Sequence, residues 1–107
     1  MSADIGTLSQ FAEGVPQRVT VDGEDVLVVM VEGTLHAVDD TCTHAEVSLS
    51  EGEVADCTIE CWLHGSRFDL RTGKPTGLPA TEPVATFPVE VRGDDIYVDT
   101  TTTLNGV

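Results

Sequence analysis

Residues 26–38 read VLVVMVEGTLHAV: six apolar residues, a Glu-Gly pair and a second β-rich run. An unbroken apolar run of strand length, Val26 to Val31, predicts a central strand that is buried on both faces. The Glu32-Gly33 pair predicts a tight turn that returns the chain into residues 35–38 as the neighbouring strand. The stretch therefore predicts a β-hairpin, and it makes strands the expected structure in the rest of the chain.

Similar short runs lie on both sides of this hairpin. The other predicted strands span residues 18–21, 57–61, 66–70, 85–91 and 96–98. We also expect one helical turn around residues 8–13, a tight turn at 72–75 and an extended surface segment at 74–83. Since no long stretch carries apolar residues at helical spacing, we predict an all-β fold, a small antiparallel sandwich or partly open barrel, with residues 1–107 as a single domain.

The composition disfavours several classes of partner. The 107 residues include 5 basic and 19 acidic residues, for a formal net charge of −14. Nucleic acid and anionic membrane surfaces are poor partners, because clustered Lys and Arg bind both. The longest apolar run has six residues, against about 20 in a membrane-spanning helix, and no secretory signal pattern is present. We expect a cytoplasmic protein whose three cysteines, an odd number, are reduced or bound to metal.

Cysteines and histidines form two clusters with defined spacing. Cys42 and His44 give C-x-H, and after sixteen residues Cys61 and His64 give C-x-x-H. One structural zinc is a possible occupant, but zinc ligands within one half of a site are usually two to four residues apart. A single-residue gap fits better when the two side chains bind different metal atoms. A [2Fe-2S] cluster with both cysteines on one iron and both histidines on the other, the Rieske pattern, meets this condition.

On these motifs the chain resembles the Rieske-type ferredoxins of bacterial aromatic ring-hydroxylating dioxygenase systems. The matching segments are residues 38–44, 61–69, 71–73 and 78–80. The resemblance implies a cluster-binding subdomain of two loops, at about residues 40–83, with Cys42, His44, Cys61 and His64 as the ligands. It also implies a one-electron carrier between an NAD(P)H-dependent flavin ferredoxin reductase and a terminal oxygenase in aromatic compound catabolism. Such a carrier is expected to be a monomer without catalytic activity of its own.

The sequence departs from respiratory-chain Rieske proteins at three positions. Val47 and Leu63 stand where those proteins carry two further cysteines, so no disulfide can bridge the loops. Ser66 keeps one of two hydroxyl groups expected to donate to sulfur, but Phe68 stands where the second, a tyrosine, is expected. Fewer donors and a high acidic content disfavour the reduced state. We therefore expect a reduction potential around −150 mV, at the lower end of the Rieske range.

Other residues near the motifs have weaker assignments. Trp62 and Leu63 are expected to shield the cluster and to offer an apolar contact to a partner, and Pro79 is expected to cover it from a third side. Cys57 is expected to be a small buried strand residue outside the ligand set, and His36 a surface or half-buried histidine. A run of acidic residues is either a solvated face or a field that steers basic partners, namely Asp39, Asp40, Glu46, Glu51, Glu53, Asp56 and Glu60.

Three other functions were weighed against this one. The terminal oxygenase itself is excluded, because its mononuclear iron needs two further histidines and only His36 remains. A Rieske-like small subunit of an assimilatory nitrite reductase shares the expected fold, although many such subunits lack the ligands. A zinc-stabilised binding module also stays open, and colour would distinguish it from an iron–sulfur protein.

Overall fold

The structure, a computed structural model, describes residues 2–43, 47–63, 65–78 and 80–107. It confirms the predicted all-β class, since these residues form ten strands and two short 3-10 turns, Leu8–Gln10 and Leu49–Glu51. None of the described helices has the length and apolarity needed to cross a membrane. The strands are β1 (Ser2–Thr7), β2 (Gln17–Val21), β3 (Glu24–Val31), β4 (Thr34–Asp39), β5 (Val54–Ala55), β6 (Thr58–Glu60), β7 (Arg67–Asp69), β8 (Thr86–Phe87), β9 (Val89–Arg92) and β10 (Asp95–Asp99).

The strands form three open antiparallel sheets. Their orders are β1-β10-β9, β2-β3-β4-β8 and β5-β6-β7. All strand pairs within these sheets are antiparallel. The predicted sandwich or partly open barrel is thus realised as layered open sheets, and three short strands, β5 to β7, form a separate sheet.

The central hairpin lies where the sequence predicts it. Strands β3 and β4 pair from Val26 opposite Asp39 to Val31 opposite Thr34. Side chains of β3 alternate between two hydrophobic cores: Leu27 and Val29 enter one, Val26 and Val28 the other. All four are fully buried, because both faces of the strand are covered. The prediction of a central strand buried on both sides is confirmed.

The two cores have different roles. The core that contains Val26 and Val28 joins the four-stranded sheet to the β1-β10-β9 sheet. The core that contains Leu27 and Val29 joins the four-stranded sheet to the small β5-β6-β7 sheet, and it also contains Cys42 and Cys61. The second of these cores therefore attaches the predicted metal-binding part to the rest of the molecule.

The prediction for Cys57 is wrong. The strand begins at Thr58, and Asp56 and Cys57 form a two-residue loop between β5 and β6 with φ of 51° and 57°. Two successive positive φ angles are the signature of a type I′ hairpin turn, whose twist matches that of the flanking strands. Cys57 is consequently a half-buried turn residue instead of a buried strand residue.

The predicted strand at residues 85–91 is interrupted at Pro88, which the sequence analysis did not anticipate. Its first part, β8, pairs with β4, and its second part, β9, pairs with β10 in a different sheet. Proline has no N–H to donate to a ladder, so the chain leaves one sheet there and joins the next. Strands β1 and β5 were not predicted from the sequence, whereas the predicted helical turn appears as the 3-10 turn at Leu8–Gln10.

Candidate metal centre

Two hairpins with the same closing hydrogen bond carry the predicted cysteine ligands. The N–H of Cys42 donates to the carbonyl oxygen of Val47 at 3.0 Å, and the N–H of Cys61 donates to that of Ser66 at 2.6 Å. In both hairpins the acceptor lies five residues after the cysteine. Each cysteine therefore lies at the loop end of its hairpin. The two motifs differ in histidine spacing, but their cysteines occupy equivalent backbone positions.

Both hairpins continue regular ladders from the body of the protein. In the first, Leu49 N–H donates to the Asp40 carbonyl oxygen at 2.6 Å, and Thr41 forms a bridge with Ser48. In the second, the ladder of β6 and β7 leads directly to the cysteine rung. Since consecutive backbone hydrogen bonds restrict both chains of a hairpin, each cysteine is held at a defined position relative to the sheets.

Close backbone contact joins the bases of the two hairpins. The N–H of Glu60, the residue before Cys61, donates to the carbonyl oxygen of Glu53 at 2.9 Å. A Cβ on Gly52 would lie 1.7 Å from the Glu60 carbonyl oxygen, so only glycine permits this approach. The chain leaving the first hairpin is therefore packed against the strand that leads into the second.

The cysteine side chains fit the requirements of a shared cluster. Cys42 is 2% exposed and Cys61 is fully buried, and both belong to the same hydrophobic core. None of the three cysteines, all of them described, takes part in a disulfide. A cluster with two sulfur ligands needs two reduced thiols that enter one protected environment, and Cys42 and Cys61 supply them.

The predicted histidine ligands and one neighbour cannot be compared with the structure. His44, His64 and Pro79 lie outside the described residues. Among the residues that are described, no group of three or more His, Cys, Asp or Glu side chains is arranged to hold a metal ion. Of the four predicted ligands, the structure therefore describes Cys42 and Cys61.

A buried hydroxyl lies beside the second cysteine rung. Ser66 is 1% exposed, and its Oγ accepts a hydrogen bond from the Ala80 N–H at 3.0 Å. A serine hydroxyl that accepts one hydrogen bond keeps its own proton for another acceptor, such as a sulfur atom. Phe68 is fully buried in the core and has no hydroxyl to offer, and Val47 packs against the edge of the same core.

Large apolar side chains are exposed near the loops. Trp62 is 48% exposed and Leu63 is 43% exposed, both in the second loop. Leu78, in the proline-containing segment, is 80% exposed and was not singled out from the sequence. The Ala80 N–H donates to Ser66 Oγ, which joins the segment that contains Leu78 to the second hairpin, so these three exposed side chains are candidates for partner contact.

The remaining cysteine and histidine contact each other. Cys57 Sγ lies 3.8 Å from His36 Nε2, in a depression of about 370 Å³ that is also lined by Arg71 and Glu32. Burial and then the Arg71 guanidinium lower the pKa of His36 below its usual value of 6.5. Burial raises the pKa of the Cys57 thiol, which disfavours the thiolate form that metals bind. The expected half-buried position of His36 is confirmed.

The acidic run is only partly a solvated face. Glu51, Glu53 and Asp56 are exposed, whereas Glu46 lies outside the described residues. Asp40 is 2% exposed, and its carboxylate accepts hydrogen bonds from Ser48 Oγ and from the Ser50 N–H. The interpretation of Asp40 as a surface charge is therefore wrong. Its carboxylate binds Ser48 and Ser50, where the chain returns from the first hairpin.

Glu60 also differs from a simple surface charge. Its carboxylate lies 3.1 Å from the Arg67 guanidinium, on the neighbouring strand and directly opposite in register. The sequence run contained no base, and this partner comes from the other side of the second loop. Cross-strand pairing of this kind is outside what a run of neighbouring residues can indicate.

Comparison with known proteins agrees with this site. Residues 2–88 match the family model for the Rieske [2Fe-2S] domain. The ferredoxin component of biphenyl 2,3-dioxygenase from Rhodococcus jostii (strain RHA1) is 46% identical over 88 residues, which are 82% of this chain and 82% of that protein.

Solved structures agree with the sequence matches. The ferredoxin of carbazole 1,9a-dioxygenase from Nocardioides aromaticivorans IC177 has a TM-score of 0.88 and 41% identity, and the match covers 92% of this chain and 96% of that one. A chain from the complex of reduced oxygenase and oxidized ferredoxin in carbazole 1,9a-dioxygenase has a TM-score of 0.86 and 37% identity, with 91% of each chain covered. This chain therefore belongs to the Rieske [2Fe-2S] domain family, in its branch of dioxygenase ferredoxins, and its cofactor is one Rieske-type [2Fe-2S] cluster.

Proposed function

We propose that this protein is the one-electron carrier that reduces the terminal oxygenase of an aromatic ring-hydroxylating dioxygenase system. The observation that carries the proposal is the pair of matching hairpins, each with a buried cysteine on its last rung. Relatives at 46% and 41% identity are named as ferredoxins of biphenyl and carbazole dioxygenases. Those names describe electron-transfer components, which favours a carrier over an enzyme and over a nitrite reductase subunit.

The ligand set follows from the two motifs. Cys42 and Cys61 would hold one iron through their thiolates, and His44 and His64 would hold the other through their imidazoles. When bound, the cluster takes up and releases a single electron. The protein's own residues do the rest: the two hairpins hold the thiols in one core, and the Ser66 hydroxyl offers a proton towards sulfur.

The exposed apolar face of the loops is the proposed contact with the oxygenase. Trp62 and Leu63 are exposed in the second ligand loop, and Leu78 is exposed in the segment that the Ala80–Ser66 hydrogen bond joins to that hairpin. Burying this area against a partner is favourable, and it brings the ligand loops to the interface. The ferredoxin in a complex with its oxygenase, similar in structure to this chain, supports an oxygenase as the occupant.

Several further properties remain proposals. An NAD(P)H-dependent flavin ferredoxin reductase is the proposed electron donor. NAD(P)H gives up two electrons together as a hydride, and a flavin can accept the hydride, release its proton and pass on the two electrons one at a time. The protein is proposed to act as a cytoplasmic monomer and to use residues 1–107 as one domain, with the cluster-binding part at about 40–83. The ring that is oxidised is a property of the oxygenase, since the carrier does not touch the substrate.

Ligand variants with matched controls test the assignment. Replacing Cys42, His44, Cys61 or His64 singly by alanine is expected to abolish the visible absorption and the electron paramagnetic resonance signal of the dithionite-reduced protein. The chain offers one control of each kind, Cys57→Ala and His36→Gln, and both are expected to keep the spectrum. A colourless wild-type protein that contains zinc, or a Cys57→Ala variant without a cluster, would contradict the proposal.

The contact surface is tested separately from the cluster. Leu63→Ser and Leu78→Ser are expected to slow electron transfer to the oxygenase component of Rhodococcus biphenyl 2,3-dioxygenase by about tenfold, because they remove apolar contact area. The reduction potential of Leu78→Ser should stay unchanged, and the potential of Leu63→Ser is measured alongside its rate, because Leu63 is also expected to shield the cluster. Val91→Ser is the control. Val91 is also exposed, at 45%, but it lies on β9 in the β1-β10-β9 sheet and not in a ligand loop. Equal rates in all three variants would exclude the loop face as the contact.

A further inference from the structure

Asp40 is a charged residue in a place where charge is costly. Of the polar side chains that are buried in the described part of the chain, Asp40, Ser66 and Thr86, it is the only ionisable one. Removing a carboxylate from water without compensation is strongly unfavourable. A neutral asparagine of the same shape could accept from the Ser50 N–H through its oxygen and donate to Ser48 Oγ through its amide group, so the charge itself calls for an explanation.

Among the described residues, the groups that bind the Asp40 carboxylate hold it in place and carry no positive charge. Its two oxygens accept from Ser48 Oγ and from the Ser50 N–H, the latter at 2.9 Å. Its backbone accepts from Leu49 N–H and donates to the Asp25 carbonyl oxygen. These partners are hydroxyl and amide groups, and the described ion pairs, formed by Arg67, Arg71 and Arg92, lie on other carboxylates. The negative charge is therefore fixed in position and keeps its field.

This charge lies at the base of the first ligand loop. Asp40 is two residues before Cys42, which limits the separation of their Cα atoms to about 7 Å. Both side chains are at most 2% exposed, so little water screens the space between them. A unit charge fixed on a residue this close to a ligand, at an effective dielectric well below that of water, disfavours the addition of an electron at the site.

We propose that Asp40 is a positioning residue with a second effect: it fixes the first ligand loop through Ser48 and Ser50, and its charge lowers the reduction potential of the cluster. The inference rests on the proposed function, since it needs Cys42 as a ligand. Reduction adds a negative charge to the site, and a fixed carboxylate nearby disfavours that addition. The exposed acids of the run act through water and are screened, so their effect is smaller.

The charge is tested by Asp40→Asn, which keeps the shape of the side chain and the oxygen that accepts from the Ser50 N–H. At a fixed applied potential, the ratio of reduced to oxidised protein is expected to rise about tenfold, which is about 59 mV for one electron. Glu51→Gln, which neutralises an exposed acid of the same hairpin, is the control and should change the ratio less than about twofold. Thermal unfolding of both variants is measured alongside.

A second variant separates charge from structure. Ser48→Ala removes a donor to the carboxylate and keeps the charge, so the field becomes less compensated and the ratio should fall about twofold to threefold. Opposite signs for Asp40→Asn and Ser48→Ala support the proposal, and shifts in the same direction, or none, overturn it. If Asp40→Asn does not fold, the sign of Ser48→Ala decides. A wild-type protein without the Rieske spectrum would instead overturn the proposed function.

Discussion

The Ser66 hydroxyl accepts a hydrogen bond from the Ala80 N–H at 3.0 Å, and both residues are buried. This contact joins the second ligand hairpin to the proline-containing segment fourteen residues later. The segment is therefore not a loose surface coil along its whole length, although Leu78 within it is highly exposed. One hydroxyl thus serves both the packing of that segment and, through its own proton, the proposed sulfur contact.

Ser66→Ala is expected to affect stability and potential together. The variant leaves the buried Ala80 N–H without an acceptor, which should lower the free energy of unfolding by about 1–3 kcal/mol. It also removes a donor to sulfur, so the midpoint in a redox titration should become more negative. Thr76→Ala is the control, because it removes an exposed hydroxyl that donates to the Arg67 carbonyl oxygen. A destabilised variant with an unchanged midpoint would show that the hydroxyl does not donate to sulfur.

The reduction potential of the wild-type protein is predicted to be about −150 mV, at the low end of the Rieske range. Two features of respiratory Rieske proteins raise the potential and are missing here. Phe68 has no hydroxyl to donate to sulfur, and Val47 and Leu63 cannot form a disulfide. The measurement is a redox titration followed by visible absorption. A strongly positive midpoint would refute the prediction.

Asn105 connects the C-terminal segment to the chain on both sides of the proline-containing segment. Its Nδ2 donates to the Thr72 and Val84 carbonyl oxygens at 2.9 and 2.8 Å, and its Oδ1 accepts from the Thr86 N–H at 3.2 Å. Asn105→Ala should lower the free energy of unfolding by about 1–3 kcal/mol in chemical denaturation.

Asn105→Asp is the informative companion of that variant. It keeps the acceptor for Thr86, but it turns a carboxylate oxygen towards two carbonyl oxygens, so it should be at least as destabilising as alanine. Wild-type stability in the aspartate variant would mean that the contacts to Thr72 and Val84 contribute little.

His36 predicts a pH dependence of stability. Burial and Arg71 lower its pKa in the folded protein, whereas in the unfolded chain it titrates near 6.5. Between these two values the unfolded state binds more protons, so stability is full above 6.5 and falls as the pH drops through the window below it. Urea unfolding between about pH 7.5 and pH 5.5 should show a smaller loss in His36→Gln than in wild type. Identical losses would contradict the assignment, because His44 and His64, the proposed cluster ligands, are common to both proteins.

Electron transfer to the oxygenase should depend on salt. The net charge of −14 and the exposed acids around the first hairpin favour encounter with a basic partner surface. Raising the ionic strength from about 10 mM to about 1 M shortens the screening length from about 30 Å to about 3 Å. The second-order rate constant in stopped-flow mixing should therefore fall across this range. A rate that is independent of salt would leave the acidic run as a solvated face.

The local features of the molecule were predictable from the sequence. Unbroken apolar residues from 26 to 31 predicted a strand buried on both faces, and the strand indeed divides its side chains between two cores. The cysteine and histidine spacing likewise predicted the family. Both inferences rest on patterns within a few residues of each other, where periodicity and ligand geometry act directly.

Residues distant in sequence decided the remaining features. Cys57 reads as part of an alternating strand, yet the register of β5 against β6 puts it in a turn beside His36. The sequence suggests that Asp40 is one more surface acid, but in the fold its carboxylate is buried and accepts hydrogen bonds from Ser48 and Ser50. The sequence alone predicted the family and that strands would form the body of the molecule. Tertiary structure decided which polar groups lose their water, because burial depends on what the rest of the chain lays over a residue.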